Sequence, residues 1–125
     1  MDGVNVTNMI YEYDCGIYPR KLWVSIGVSN EEINEFFTGC DYIPPMEDNY
    51  YAETRVVNKG KLGGYLIRFP NKKEVTPENV AHEAGHVAIR MFNVIESEIS
   101  ITTSEPFCYL LDWVVSCVFD AKNQK

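Results

Sequence analysis

Histidine is scarce in this chain of 125 residues: there are two, and both fall within one short stretch. Any site built from three imidazoles is therefore excluded. Long apolar runs are missing as well, and nothing approaches the ~20 consecutive apolar residues that span a bilayer. The opening Met1-Asp2-Gly3-Val4-Asn5 carries neither the basic nor the apolar region of an export signal. The expectation is a cytoplasmic protein with no membrane partner. Cys15, Cys40, Cys108 and Cys117 include no C-x-x-C pair, so they read as reduced, buried thiols rather than a disulfide frame. Positive charge is also sparse, with 11 Lys+Arg against 18 Asp+Glu and a net charge of −7. Without a basic stripe there is no electrostatic footprint for a phosphate backbone, and nucleic acid is not an expected partner. No repeat or low-complexity tract interrupts the chain, and its length fits a single domain over 1–125.

What is present is Ala81-His82-Glu83-Ala84-Gly85-His86, an H-E-x-x-H pattern holding both histidines. On a helix, residues i and i+4 lie one above the other, so His82 and His86 can offer two nitrogens to one metal ion. Glu83 lies about 100° round the helix. It is placed to take a proton from a water that the ion has acidified, rather than to join the ligand set.

The helix carrying this pattern has clear start signals. Thr76 is an N-cap, Pro77 suits the first position, and Glu78 meets the positive end of the dipole. It is expected to run from Pro77 to about Phe92, with Val80, Ala84, Val87 and Met91 as its apolar stripe. Ala81, Gly85 and Ala88 are small enough to admit another backbone. Upstream, residues 1–19 show no clear period and read as an arm or irregular edge. Leu22, Val24, Ile26 and Val28 alternate with other residues, which predicts a strand with one face on the core. Ser29-Asn30-Glu31-Glu32 is a capping box opening a short helix, expected to be peripheral. Residues 40–49, with Pro44-Pro45, form the main loop. Tyr50 to Val57 and Leu62 to Phe69 predict an antiparallel hairpin. A connector follows over Asn93 to Ser104, with a short strand as an option within Ile99 to Thr102. From Glu105-Pro106 to about Ala121 a last, heavily buried helix is expected. The fold class is α+β: a small, mostly antiparallel sheet packed on the motif helix and the C-terminal helix.

Catalytic zinc keeps three protein ligands and an open position, so two histidines leave one ligand to find. Downstream candidates are Glu96, Glu98, Glu105, Cys108, Asp112 and Asp120. The arrangement of His82-Glu83-Ala84-Gly85-His86 followed after 18 residues by Glu105 resembles the gluzincins, the thermolysin-like zinc metallopeptidases. That resemblance implies a minimal zincin core, Zn²⁺ held by His82, His86 and Glu105, Glu83 as general base, and a peptide or protein substrate. The chain is also similar, over most of its length, to small H-E-x-x-H proteins of phages and prophages. Glu105-Pro106-Phe107-Cys108-Tyr109-Leu110 and Ile17-Tyr18-Pro19-Arg20-Lys21-Leu22-Trp23 carry that second likeness.

Two departures stand out. Tyr109 occupies the place where gluzincins often have an aspartate that orients a histidine, which makes Asp112 a candidate for that role. There is also no room for the separate domain that walls the cleft in larger members, so Tyr109 and Tyr65 are the candidates for steadying an oxyanion. The expected function is zinc-dependent peptide hydrolysis, with Leu62 to Phe69 as the strand that pairs with substrate. The rivals are a non-catalytic binding or regulatory protein on the same scaffold, and a purely structural zinc site.

Overall fold

A computed structural model describes residues 3–7 and 9–124. Five strands, β1 (Val4–Thr7), β2 (Ile10–Asp14), β3 (Lys21–Ile26), β4 (Glu53–Lys59) and β5 (Leu62–Phe69), form one sheet in the order β1-β2-β3-β5-β4. Three neighbouring pairs are antiparallel, whereas β3 and β5 are parallel. The sheet is therefore mixed, and the fold is α+β with, among the described residues, three α-helices: α1 (Asn30–Phe36), α2 (Pro77–Val94) and α3 (Ser104–Asn123). Parallel neighbours need a long connection between them, and α1, the loop after it and β4 supply one. Among the described residues no helix is long and apolar enough to cross a membrane.

Helices α2 and α3 cover one face of the sheet. Val80, Ala84, Val87 and Met91 of α2 and Leu110, Val114, Cys117 and Val118 of α3 meet Tyr11, Leu22, Val24 and Ile67 in the larger core. The apolar stripe expected on α2 is the stripe that is buried. On α3 burial is confined to one face, and Tyr109 is 68% exposed. Residues Ile101–Thr103 form a 3-10 turn, not a strand.

The other face carries a second core, which corrects two expectations. Helix α1 is not peripheral: its Ile33, with Phe37 and Ile43 beyond it, closes over Ile10, Trp23, Val57 and Leu66, and Trp23 meets Phe37 edge to face at 5.2 Å. Strand β3 is consequently buried on both faces, with Leu22 and Val24 toward the helices and Trp23 toward α1. Nor is the N-terminal segment an irregular arm. Ile10 enters the second core while Tyr11 and Tyr13 enter the first, so strand β2 buries both of its sides and shows no polar alternation.

Two glycines set the sheet geometry. Gly60, with φ of +61°, takes the first central position of the two-residue turn between β4 and β5, where a left-handed residue is needed. At Gly64 a side chain would run into the main-chain oxygen of Lys21 across the parallel pair.

Candidate metal centre

The local sequence of α2 decides which side chains reach solvent. Thr76 caps the helix through its hydroxyl, which accepts from the Asn79 amide at 3.2 Å. With the apolar stripe turned to the sheet, His82 and His86 lie on an exposed side of the helix, beside β4. Their Nε2 atoms are 3.3 Å apart. Two nitrogens each at about 2.05 Å from a tetrahedral zinc would stand about 3.3 Å apart. The pair therefore fits a single ion, and without one the same approach is an imidazole–imidazole hydrogen bond whose donor depends on the tautomer.

Glu83, the residue after His82, is only 7% exposed. Its Oε1 accepts from the Thr54 hydroxyl on β4 at 2.7 Å, and the same hydroxyl lies 3.4 Å from the Glu83 main-chain oxygen. Among the described residues Thr54 is the side chain's one hydrogen-bond partner, and Oε2 is not sealed off from solvent.

These groups line a cleft of about 700 Å³ between α2 and the segment 49–54. Glu78, His82, His86 and Arg90 follow one another at helical spacing along one wall; Tyr50, Tyr51 and Thr54 stand on the other. A second hollow of about 370 Å³ shares Tyr50 and Tyr51 and is edged by Glu47, Asp48 and Glu74. The loop leading to this wall is firmly held. Arg68, 5% exposed in β5, donates to Glu53, to Asn30 and to the main-chain oxygen of Pro44. Asn34 grips Ile43 through both its amide groups, at 2.9 and 2.8 Å.

The structure does not bring Glu105 to the two histidines. It is exposed in the first turn of α3. Among the described residues no three His, Cys, Asp or Glu side chains are grouped to hold a metal ion. The cause is the antiparallel packing of α2 and α3. Phe92 stacks edge to face on Phe107 at 5.3 Å, and at the other end Lys122 Nζ donates to the Val75 oxygen at 2.8 Å. The start of α3 thus lies against the last turns of α2, and Phe92 is about 9 Å further along the axis than His86 at 1.5 Å per residue. None of the six downstream ligand candidates lines the cleft.

Other expected roles shift too. Tyr65 is 2% exposed in the helix-side core and Tyr109 points to solvent, so neither lines the cleft. Burial pushes the Tyr65 hydroxyl's pKa up, against the lowering effect of Arg20 and Arg90. The tyrosines of the cleft are Tyr50 and Tyr51. Asp112 is exposed and makes no contact with either histidine among the described hydrogen bonds. Strand β5 cannot take a substrate strand, because β3 and β4 already pair with both its sides; the edge strands are β1 and β4, and β4 is the one beside the cleft. Gly85 is not a point of close approach, since a side chain there would meet nothing within 4 Å. Thr54 and Arg68 were not singled out by the sequence. For Arg68 a signal exists, a lone cation in the apolar run Leu66-Ile67-Arg68-Phe69, whereas nothing distinguishes Thr54 from other strand threonines.

No family model, curated protein or solved structure matches this chain.

Proposed function

We propose that the protein is a zinc-dependent peptide hydrolase of gluzincin-like type. The observation that carries this reading is the 3.3 Å separation of the His82 and His86 Nε2 atoms on the wall of a cleft that also holds the Glu83 carboxylate. His82 and His86 hold the ion. Zinc, when bound, supplies an acidified water and polarises a carbonyl. Glu83 accepts a proton from the attacking water on Oε2 and returns it to the leaving amine. The outer side of β4, unpaired among the described residues, offers main-chain groups to an extended peptide, and α2 is the facing wall of the cleft.

Glu105 is the third ligand implied by the gluzincin resemblance, and it has to come from the first turn of α3. The cleft itself offers Glu78, one helical turn before His82 and without a hydrogen bond or ion pair among the described residues. Zinc affinity measured in Glu105→Ala and Glu78→Ala decides between them, since the true ligand is the one whose loss weakens binding at least tenfold.

A second reading is favoured by the ungrouped third donor: a binding or regulatory protein that keeps the histidine pair and cleaves nothing. Glu83→Gln separates the two. In an enzyme, Glu83→Gln retains one zinc per chain by elemental analysis and loses hydrolysis of a quenched-fluorescence peptide library by at least a hundredfold. Zinc-loaded wild type that hydrolyses no member of the library would leave the binding protein.

A further inference from the structure

The strongest feature outside the ligand pair is the contact between Thr54 and Glu83. It joins the sheet's edge strand to the residue that follows the first histidine, across 29 positions of sequence. We infer that Thr54 is a positioning residue for Glu83: its hydroxyl, delivered from β4, fixes one carboxylate oxygen so that the other is presented to the cleft. This rests on the reading of Glu83 as the base.

Three observations support it. The contact is short, at 2.7 Å, and directed to Oε1, the range of a charge-assisted O–H···O⁻ bond. Glu83 is 7% exposed, and a buried carboxylate without a donor is strongly disfavoured. Among the described residues no second group bonds the side chain, and Oε2, on a residue that lines the cleft, is not fully buried. The carboxylate is thus anchored at one oxygen and open at the other. A base that must take a proton from one water and return it to a leaving group needs that asymmetry. Threonine suits the task because its branched β-carbon restricts χ1, and its Oγ1 also lies 3.4 Å from the Glu83 main-chain oxygen.

The position of Thr54 adds a consequence. It stands near the start of the strand whose outer side is open. The group that orients the base and the main chain that would pair with an extended peptide therefore belong to the same few residues. A peptide docked along β4 lies beside the residue that aims the base at it.

The test compares Thr54→Val, which keeps shape and removes the donor, with Thr54→Ser, which keeps the donor. Both are made in the full chain loaded with zinc and assayed on the quenched-fluorescence peptide library. The valine variant should bind zinc as wild type does and lose ten- to a hundredfold in kcat, with KM within about twofold; serine should restore kcat to within a few-fold. Thr54→Ala, which leaves room for a water, replaces the valine variant if that one fails to fold. A second readout needs no activity: a double-mutant cycle of urea unfolding on Thr54→Val and Glu83→Met. Non-additive stabilities support the contact, and additive ones overturn the inference. Undiminished kcat in Thr54→Val overturns it as well while sparing the hydrolase reading. A zinc-loaded wild type without hydrolysis removes that reading and the positioning role with it, even where the cycle is non-additive.

Discussion

At the scale of single residues, a buried cation that does not line the cleft holds the segments leading to it. Arg68 is nearly sealed in the sheet and spreads its guanidinium over Glu53, Asn30 and the Pro44 oxygen. It thereby ties β5, β4, the start of α1 and the loop into one network. Removing one partner of such a buried pair costs about 3 to 5 kcal/mol, because the other charge stays behind. Arg55 also lies 3.0 Å from Glu53 and takes up part of that charge, so Arg68→Met is expected at the lower end, about 3 kcal/mol by urea unfolding. Arg68→Lys should recover only part, since an ammonium cannot reproduce the planar set of donors. The H-E-x-x-H residues were legible in the sequence because their spacing carries a geometric meaning. Thr54 was not, since its contact with Glu83 arises only when β4 is laid beside α2.

Among the elements, α2 was the most readable. Its cap, its proline and its apolar stripe all act within one helical segment, and together they place it at Pro77–Val94. Hairpin β4–β5 was nearly as clear, because a glycine turn and two β-rich runs are likewise local signals. Strand β2 and helix α1 were misjudged for a shared reason. Each owes its environment to the second core, and a strand buried on both faces has no polar side to reveal its period. Residues 40–49 are the loop that the sequence predicts, and Asn30, Asn34 and Arg68 hold it at Ile43 and Pro44. Within α2, Gly85 offers a direct test of packing against propensity. Nothing lies within 4 Å of where its side chain would be, so Gly85→Ala should stabilise the fold by about 1 kcal/mol through helix propensity alone. A loss in thermal melting of the apoprotein would show that the glycine serves some other need.

For the molecule as a whole, the acid limb of stability has an identifiable contributor. Asp120 joins α3 to β2 and to the N-terminal segment by accepting from Tyr13 Oη at 2.7 Å, the Gly3 amide at 3.1 Å and Gln124 at 3.2 Å. Burial pushes its pKa up, but these hydrogen bonds outweigh burial and leave the carboxyl below its ordinary value. A group depressed in the folded state contributes stability that is complete above its unfolded pKa, near 3.9, and is lost as pH falls through the folded one. Asp120→Asn should accordingly lower the melting temperature at pH 6 and converge on wild type as pH falls through the folded-state pKa of Asp120. A constant difference between the two across that range would exclude the linkage. Asp14, also depressed by the Gly16 amide and Lys21, remains in both proteins and cancels from the comparison. The open side of β4 bears on the behaviour of the protein in concentrated solution. An unpaired strand edge is a template for another copy of itself, and Val56 on this one is 61% exposed. Lys59 at its end and Lys61 in the adjoining turn are exposed cations, the kind of charge that discourages edge pairing. Those charges lie on and beside the strand that borders the cleft, and exchanging them for apolar residues is expected to favour edge-to-edge self-assembly.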